Sequence, residues 1–166
     1  MRRGFNGNKP SKRDIEGVRE WYADVDPHPE IFGGDYPAAR HHLLDVILPE
    51  ISNASPTVIV DSGHGLQAHW CALHPFGLPE GEREAYEDLN AKVGQRFHGP
   101  GTQNCDRLLR VPFTKNYPNA AKLKKGYPRD PTIATIIAFT GKRIYLRRGK
   151  CAGQRRRGRG PLAARV

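Results

Sequence analysis

Apolar and polar positions divide this chain into short elements. Trp21-Tyr22-Ala23-Asp24-Val25-Asp26 alternates, and Pro27 ends the run. In a strand, residues two apart share a face. Asp24 and Asp26 therefore project together, preceded on that face by Tyr22, while Ala23 and Val25 turn toward a core. Upstream, 14–20 reads as a short helix capped near Ser11 or Asp14, with Ile15 and Val18 facing inward. Downstream, 28–36 holds Pro, Gly-Gly and Asp, a loop signature. Pro37 suits a helical first turn, and Leu43, Leu44, Ile47 and Leu48 give a helical stripe through 38–48. Residues 49–56, bounded by prolines, read as a break.

The β-branched run 57–61 predicts a strand, Ser62-Gly63-His64-Gly65 a tight turn, and 66–73 a second strand, together a hairpin. Ala85, Leu89, Val93 and Phe97 recur every four residues and predict an amphipathic helix over 82–97. After a Gly/Pro turn, 108–111 reads as a short strand followed by a basic loop to Arg129. Residues 132–139 read as another strand, which 142–146 extends or pairs with. This order predicts an α+β fold with a mainly antiparallel sheet and flanking helices. From Gly149 onward Gly, Arg and Lys dominate with little to bury, so the expectation is a folded unit over 1–148 and a disordered basic tail over 149–166.

Charge sharpens this division. Residues 1–106 hold 16 acids against 10 Lys and Arg; residues 107–166 hold 17 Lys and Arg against Asp130 alone. The first part suits metal or proton chemistry, and the second suits a polyanion. No apolar run reaches the roughly 18 residues of a membrane span. The N-terminus lacks the apolar centre of a signal peptide. Cys71, Cys105 and Cys151 form no C-x-x-C pair, so neither a disulfide framework nor a zinc site is suggested. The expectation is a soluble, intracellular protein away from membranes.

Three segments carry candidate chemistry. Asp24 and Asp26 repel each other unless a cation lies between them, and magnesium-like ions take carboxylate oxygens. The Ser62–Gly65 turn can bring backbone N–H groups to phosphate oxygens, with Gln67 and His69 on one face of the following strand and Leu66, Ala68 and Trp70 on the other. Asp106 precedes an apolar run bearing Arg110, whose planar fork suits phosphate, and then a loop with Lys115, Asn116 and Lys122.

Together and in this order, the segments resemble the archaeo-eukaryotic primase superfamily, in particular the primase-polymerase domains of phage and plasmid replication proteins. Tyr22-Ala23-Asp24-Val25-Asp26 is similar to the family's D-x-D motif. Asp61-Ser62-Gly63-His64-Gly65-Leu66-Gln67 is similar to its Ser-Gly-x-Gly turn. Asp106 through Asn116 is similar to its third motif. Gln67 stands where many members have a histidine, and Phe113 where the third motif usually has glycine. The chain also has only about 20 residues before the first motif, where members carry a further α/β segment, so a truncated member is one expectation.

The resemblance implies an RNA-recognition-motif-like sheet and nucleotidyl transfer, with Asp24, Asp26 and Asp106 holding two magnesium or manganese ions. It implies that Ser62, Gly63, His64, Gly65, Gln67, Arg110 and Asn116 bind the nucleoside triphosphate. Lys115, Lys122, Lys124, Lys125, Arg155, Arg156 and Arg157 would bind a single-stranded DNA template. A cytoplasmic role in phage or plasmid DNA replication, alongside a replicative helicase, also follows from it. Two rivals remain: a non-catalytic single-stranded nucleic-acid-binding module, and a metal-dependent nuclease using the same acids.

Overall fold

The computed structural model describes residues 11–79 and 81–145, with the backbone of 147–148 and 162–163. A 3-10 turn, Lys12–Asp14, leads into β1 (Gly17–Val25). A second, Pro29–Phe32, precedes α1 (Tyr36–His42), which continues through a π-helical turn, Leu43–Ile47, into α2 (Leu48–Asn53). Then come β2 (Val58–Asp61), β3 (Leu66–Gly77) and α3 (Glu82–Arg96). The remainder holds β4 (Lys115–Asn116), α4 (Ala120–Lys124), β5 (Thr132–Ile133) and β6 (Thr135–Phe139).

The main sheet has the order β1-β3-β2-β6, and every neighbouring pair is antiparallel. This is the expected α+β class. The alternation in β1 does what it predicts. Ala23 and Val25 join Ile59, Leu66, Ala68 and Trp70 on one face, buried against Leu43, Ile47, Ile51 and Phe97. The opposite face carries Tyr22 and Asp24 beside their register partners His69 and Gln67.

β1 is an edge strand, and α3 covers that edge. The Tyr22 N–H donates to Asn90 Oδ1 at 2.9 Å, and the Tyr86 hydroxyl donates to the Glu20 carbonyl at 2.9 Å. Two backbone groups that would otherwise invite another strand are thereby engaged. The buried stripe of α3 runs through Tyr86, Asn90 and Gly94, with Leu89 and Val93 packed alongside.

Three expectations are corrected. Residues 14–20 form no helix: seven residues cannot nucleate one cheaply, and Gly17 and Val18 pair instead with Gly77 and Phe76. Ile15 and Val18 still face inward, against the cluster of Trp21, Ala72, Leu78 and Tyr86. The break at Pro49 is a continuing helix to Asn53. The π turn before it shifts the carbonyl pairing where the proline ring would otherwise meet the i−4 carbonyl. Finally, 108–111 forms no strand, and Leu108 and Val111 are exposed, so the apolar run is not part of a core.

The expected tail, 149–166, lies outside the described residues except for Leu162–Ala163, which pairs antiparallel with Arg147–Arg148. No helix among the described residues is long and apolar enough to cross a membrane.

Candidate functional site

The site is built where residues 104–116 cross the open face of the sheet. The crossing is fixed at successive points. The Tyr22 hydroxyl donates to the Asn104 carbonyl at 2.7 Å, and the Arg107 guanidinium donates to Asp24 Oδ2 at 2.7 Å. The Arg110 N–H donates to Gln67 Oε1 at 3.0 Å, while Gln67 Nε2 donates to Asp24 Oδ1 at 3.2 Å. The Arg110 guanidinium donates to Asn116 Oδ1 at 2.7 Å, and Asn116 Nδ2 donates to the Ser62 carbonyl at 2.8 Å. This chain of bonds surrounds an open cleft of about 450 Å³, lined by Asp24, Asp26, Ser62, Gln67, Arg110 and Asn116 among others.

Each cleft carboxylate has a cation of the protein's own. Arg107 holds Asp24, and Lys122 Nζ donates to Asp26 Oδ1 at 2.7 Å. Lys122 also stands 5.1 Å above the ring of Tyr127, whose hydroxyl donates to the Pro27 carbonyl at 2.7 Å. Burial, with the nearby Asp26 charge, raises the Tyr127 phenol above its ordinary range. It therefore acts as a donor and not as a base.

The turn between β2 and β3 is tightly held. Asp61 Oδ1 accepts the Gly63 N–H at 2.7 Å, the Ser62 N–H donates to the Gly65 carbonyl at 2.8 Å, and Arg40 pairs with Asp61. The N–H groups of Ser62 and Gly63 are thus engaged within the turn and are not free to cradle phosphate. Gly65 has a different reason to be glycine. A Cβ there would lie 2.6 Å from the Val25 carbonyl and 2.7 Å from Asp26 Oδ1, so it lets the end of β1 lie against the start of β3.

Not every expected site residue reaches the cleft. His64 is 1% exposed, and neither ring nitrogen has a partner among the described residues. It packs edge-on to Tyr127 at 5.8 Å. Burial, helped by the Lys122 charge, pulls its imidazole below the ordinary 6.5. Asp106 does not line the cleft. It lies in a turn closed by the Arg107 N–H on the Asn104 carbonyl, and its charge bears on Lys12 and Tyr22. Among the described residues, no three His, Cys, Asp or Glu side chains converge as a metal-holding group. Lys115 is exposed on β4, Lys124 closes α4, and Lys125 approaches Glu30 at 3.5 Å. Arg155, Arg156 and Arg157 lie outside the described residues.

No protein-family model matches the sequence, and no curated protein sequence matches it. The fold is similar to the solved primase-polymerase (PrimPol) AEP domain of cyanophage S-2L, with a TM-score of 0.51 and 16% sequence identity. The likeness covers 80% of this chain and 58% of that one. At this identity it supports a distant primase-like fold.

Sequence reasoning missed Arg107 as a cleft residue and placed Lys122 only on a template surface. Nothing in a lone Asp-Arg pair or a lysine in a basic loop marks a partner far away in the chain. Tyr117 and Asn119, which also line the cleft, were equally hidden in that loop.

Proposed function

We propose that this chain is a nucleotidyltransferase of the primase-polymerase kind. The observation that carries the reading is the pair Asp24 and Asp26 on one cleft with Gln67, Arg110 and Asn116. Two carboxylates on one cleft suit one divalent cation, magnesium or manganese. Such an ion would lower the pKa of an attacking 3′-hydroxyl and neutralise charge on the triphosphate. Arg110 would clamp the triphosphate, with Asn116 holding the guanidinium fork in its plane. Gln67 would orient Asp24 through one end of its amide and position the Arg110 backbone through the other.

The described arrangement does not fit a second ion, because Asp106 is not at the cleft. Single-stranded DNA is the proposed template, nucleoside triphosphates the substrates, and phage or plasmid replication, with a replicative helicase nearby, the setting.

A second reading has its own support. Both cleft acids are already neutralised, by Arg107 and Lys122. That arrangement suits a module that binds single-stranded nucleic acid without catalysis. One experiment separates the two. The protein is incubated with single-stranded template, labelled nucleotides and manganese. Products longer than the input support the transferase, binding without extension supports the module, and shortened DNA supports a nuclease.

A further inference from the structure

The turn after Arg110 has a proline at its second position, Pro112, and Phe113 at its third. Phe113 has φ +67°. A turn with proline second and positive φ third is where glycine is preferred, because an L side chain there crowds the backbone. A bulky residue in this region is an outlier, and such strain persists only where the surroundings impose it. Here they do: the Phe113 N–H donates to the Ala134 carbonyl at 2.7 Å, and the Ala134 N–H donates to the Thr114 carbonyl at 3.0 Å.

The strain does not serve packing, because the side chain of Phe113 is 75% exposed. A second exposed ring, Tyr117, follows four residues later and lines the cleft with Arg110 and Lys122. Exposed Lys115 lies between the two rings in the chain. Flat apolar faces interleaved with cations are what successive bases and their phosphates require.

We propose that Phe113 and Tyr117 form a stacking platform on which bases of single-stranded nucleic acid rest as the strand enters the cleft. This rests on the nucleic-acid side of the proposed function, and it holds whether or not the cleft is catalytic. Stacking is blind to base identity, so the platform binds any sequence. The phosphates fall to Lys115 and neighbouring cations.

The test is fluorescence anisotropy of a labelled oligo(dT) with the full chain, in the absence of divalent metal. Phe113→Gly should bind about tenfold more weakly, the loss of roughly one stacked base. Its log–log salt slope should match wild type, because no bound phosphate is released. Its melting temperature should stay equal or rise, because glycine relieves the left-handed conformation. Phe113→Trp should bind at least as tightly as wild type.

Wild-type affinity in Phe113→Gly overturns the platform. So does weaker binding that comes with a shallower salt slope and a lower melting temperature, since the residue would then act through the fold of the loop. If Phe113→Gly does not fold, Phe113→Trp decides: retained affinity supports stacking, and weakened affinity overturns it. The same series in the Asp24→Asn protein separates this proposal from the catalytic one. Failure of nucleotide incorporation leaves the stacking result untouched, and sequence-selective binding by the wild type would overturn the platform alone.

Discussion

The guanidinium of Arg107 donates to the carboxylate of Asp24 at 2.7 Å, across 83 residues of chain. It takes a carboxylate oxygen that the proposed metal ion would use. A side-chain cation and a metal ion compete for the same carboxylate oxygens. Arg107→Gln should therefore tighten manganese binding by several-fold in calorimetry, while Asp24→Asn should abolish both the binding and nucleotide incorporation. DNA binding by Asp24→Asn should persist, because the basic loop is untouched. If Arg107→Gln weakens manganese binding, the arginine is part of the metal site and not a competitor.

Gln67 joins two elements, because its amide donates to Asp24 and accepts from the Arg110 backbone. Removing it leaves the part-buried Arg110 N–H without its acceptor, and the loss of a typical hydrogen bond costs about 0.5–1.5 kcal/mol. Gln67→Ala should therefore lower the melting temperature and raise the KM for nucleotide more than it weakens template binding. Gln67→Glu should be worse than Gln67→Ala, since it sets a second carboxylate against Asp24. Gln67→His keeps a donor and an acceptor and should be tolerated. Steady-state kinetics with paired thermal melts checks all three, and an unchanged KM in Gln67→Ala removes the residue from the site.

These two contacts mark where the sequence was legible and where it was not. The alternation of β1 correctly placed Asp24 on the open face and Val25 in the core, because a strand's period depends only on neighbouring residues. The hairpin of β2 and β3 was visible for the same reason. Residues 104–116 were not, because their shape comes from distant partners. Tyr22 fixes Asn104, Asp24 fixes Arg107, and Gln67 fixes Arg110. A short apolar run there looked like a strand, but Leu108 and Val111 face solvent. The helix expected over 14–20 failed similarly, since pairing of Gly17 with Gly77 is a long-range event. Glycine at 65 was legible as a close approach, and in the fold the end of β1 makes one.

The basic end of the chain adds a prediction that the cleft does not. Residues 149–166 contain Arg155-Arg156-Arg157 and no acid. Deleting them should weaken binding to single-stranded DNA and reduce the log–log salt slope by about 0.7 for each phosphate that is no longer neutralised. The melting temperature should change little, because the four-stranded sheet lies before this segment, which contributes the Leu162–Ala163 pairing with Arg147–Arg148. An unchanged slope would show that these arginines do not bind phosphates.

His64 predicts a pH dependence of stability whose sign follows from its burial. In the folded chain burial, with Lys122 nearby, holds the imidazole below its ordinary 6.5, while unfolding returns it to that value. Between the folded and unfolded values, the unfolded chain binds a proton that the folded chain does not. Stability therefore rises with pH across that window. Read downward, it falls as the pH drops through about 6.5 and levels off below the folded value. His64→Phe keeps the edge-on contact with Tyr127 and removes two buried ring nitrogens that lack partners. Whatever the larger ring costs in packing is independent of pH. The difference in stability between variant and wild type should therefore move in favour of the variant as the pH falls from 8 to 5. Denaturant unfolding at a series of pH values measures this, and a pH-independent difference would mean that His64 titrates alike in the folded and unfolded chains.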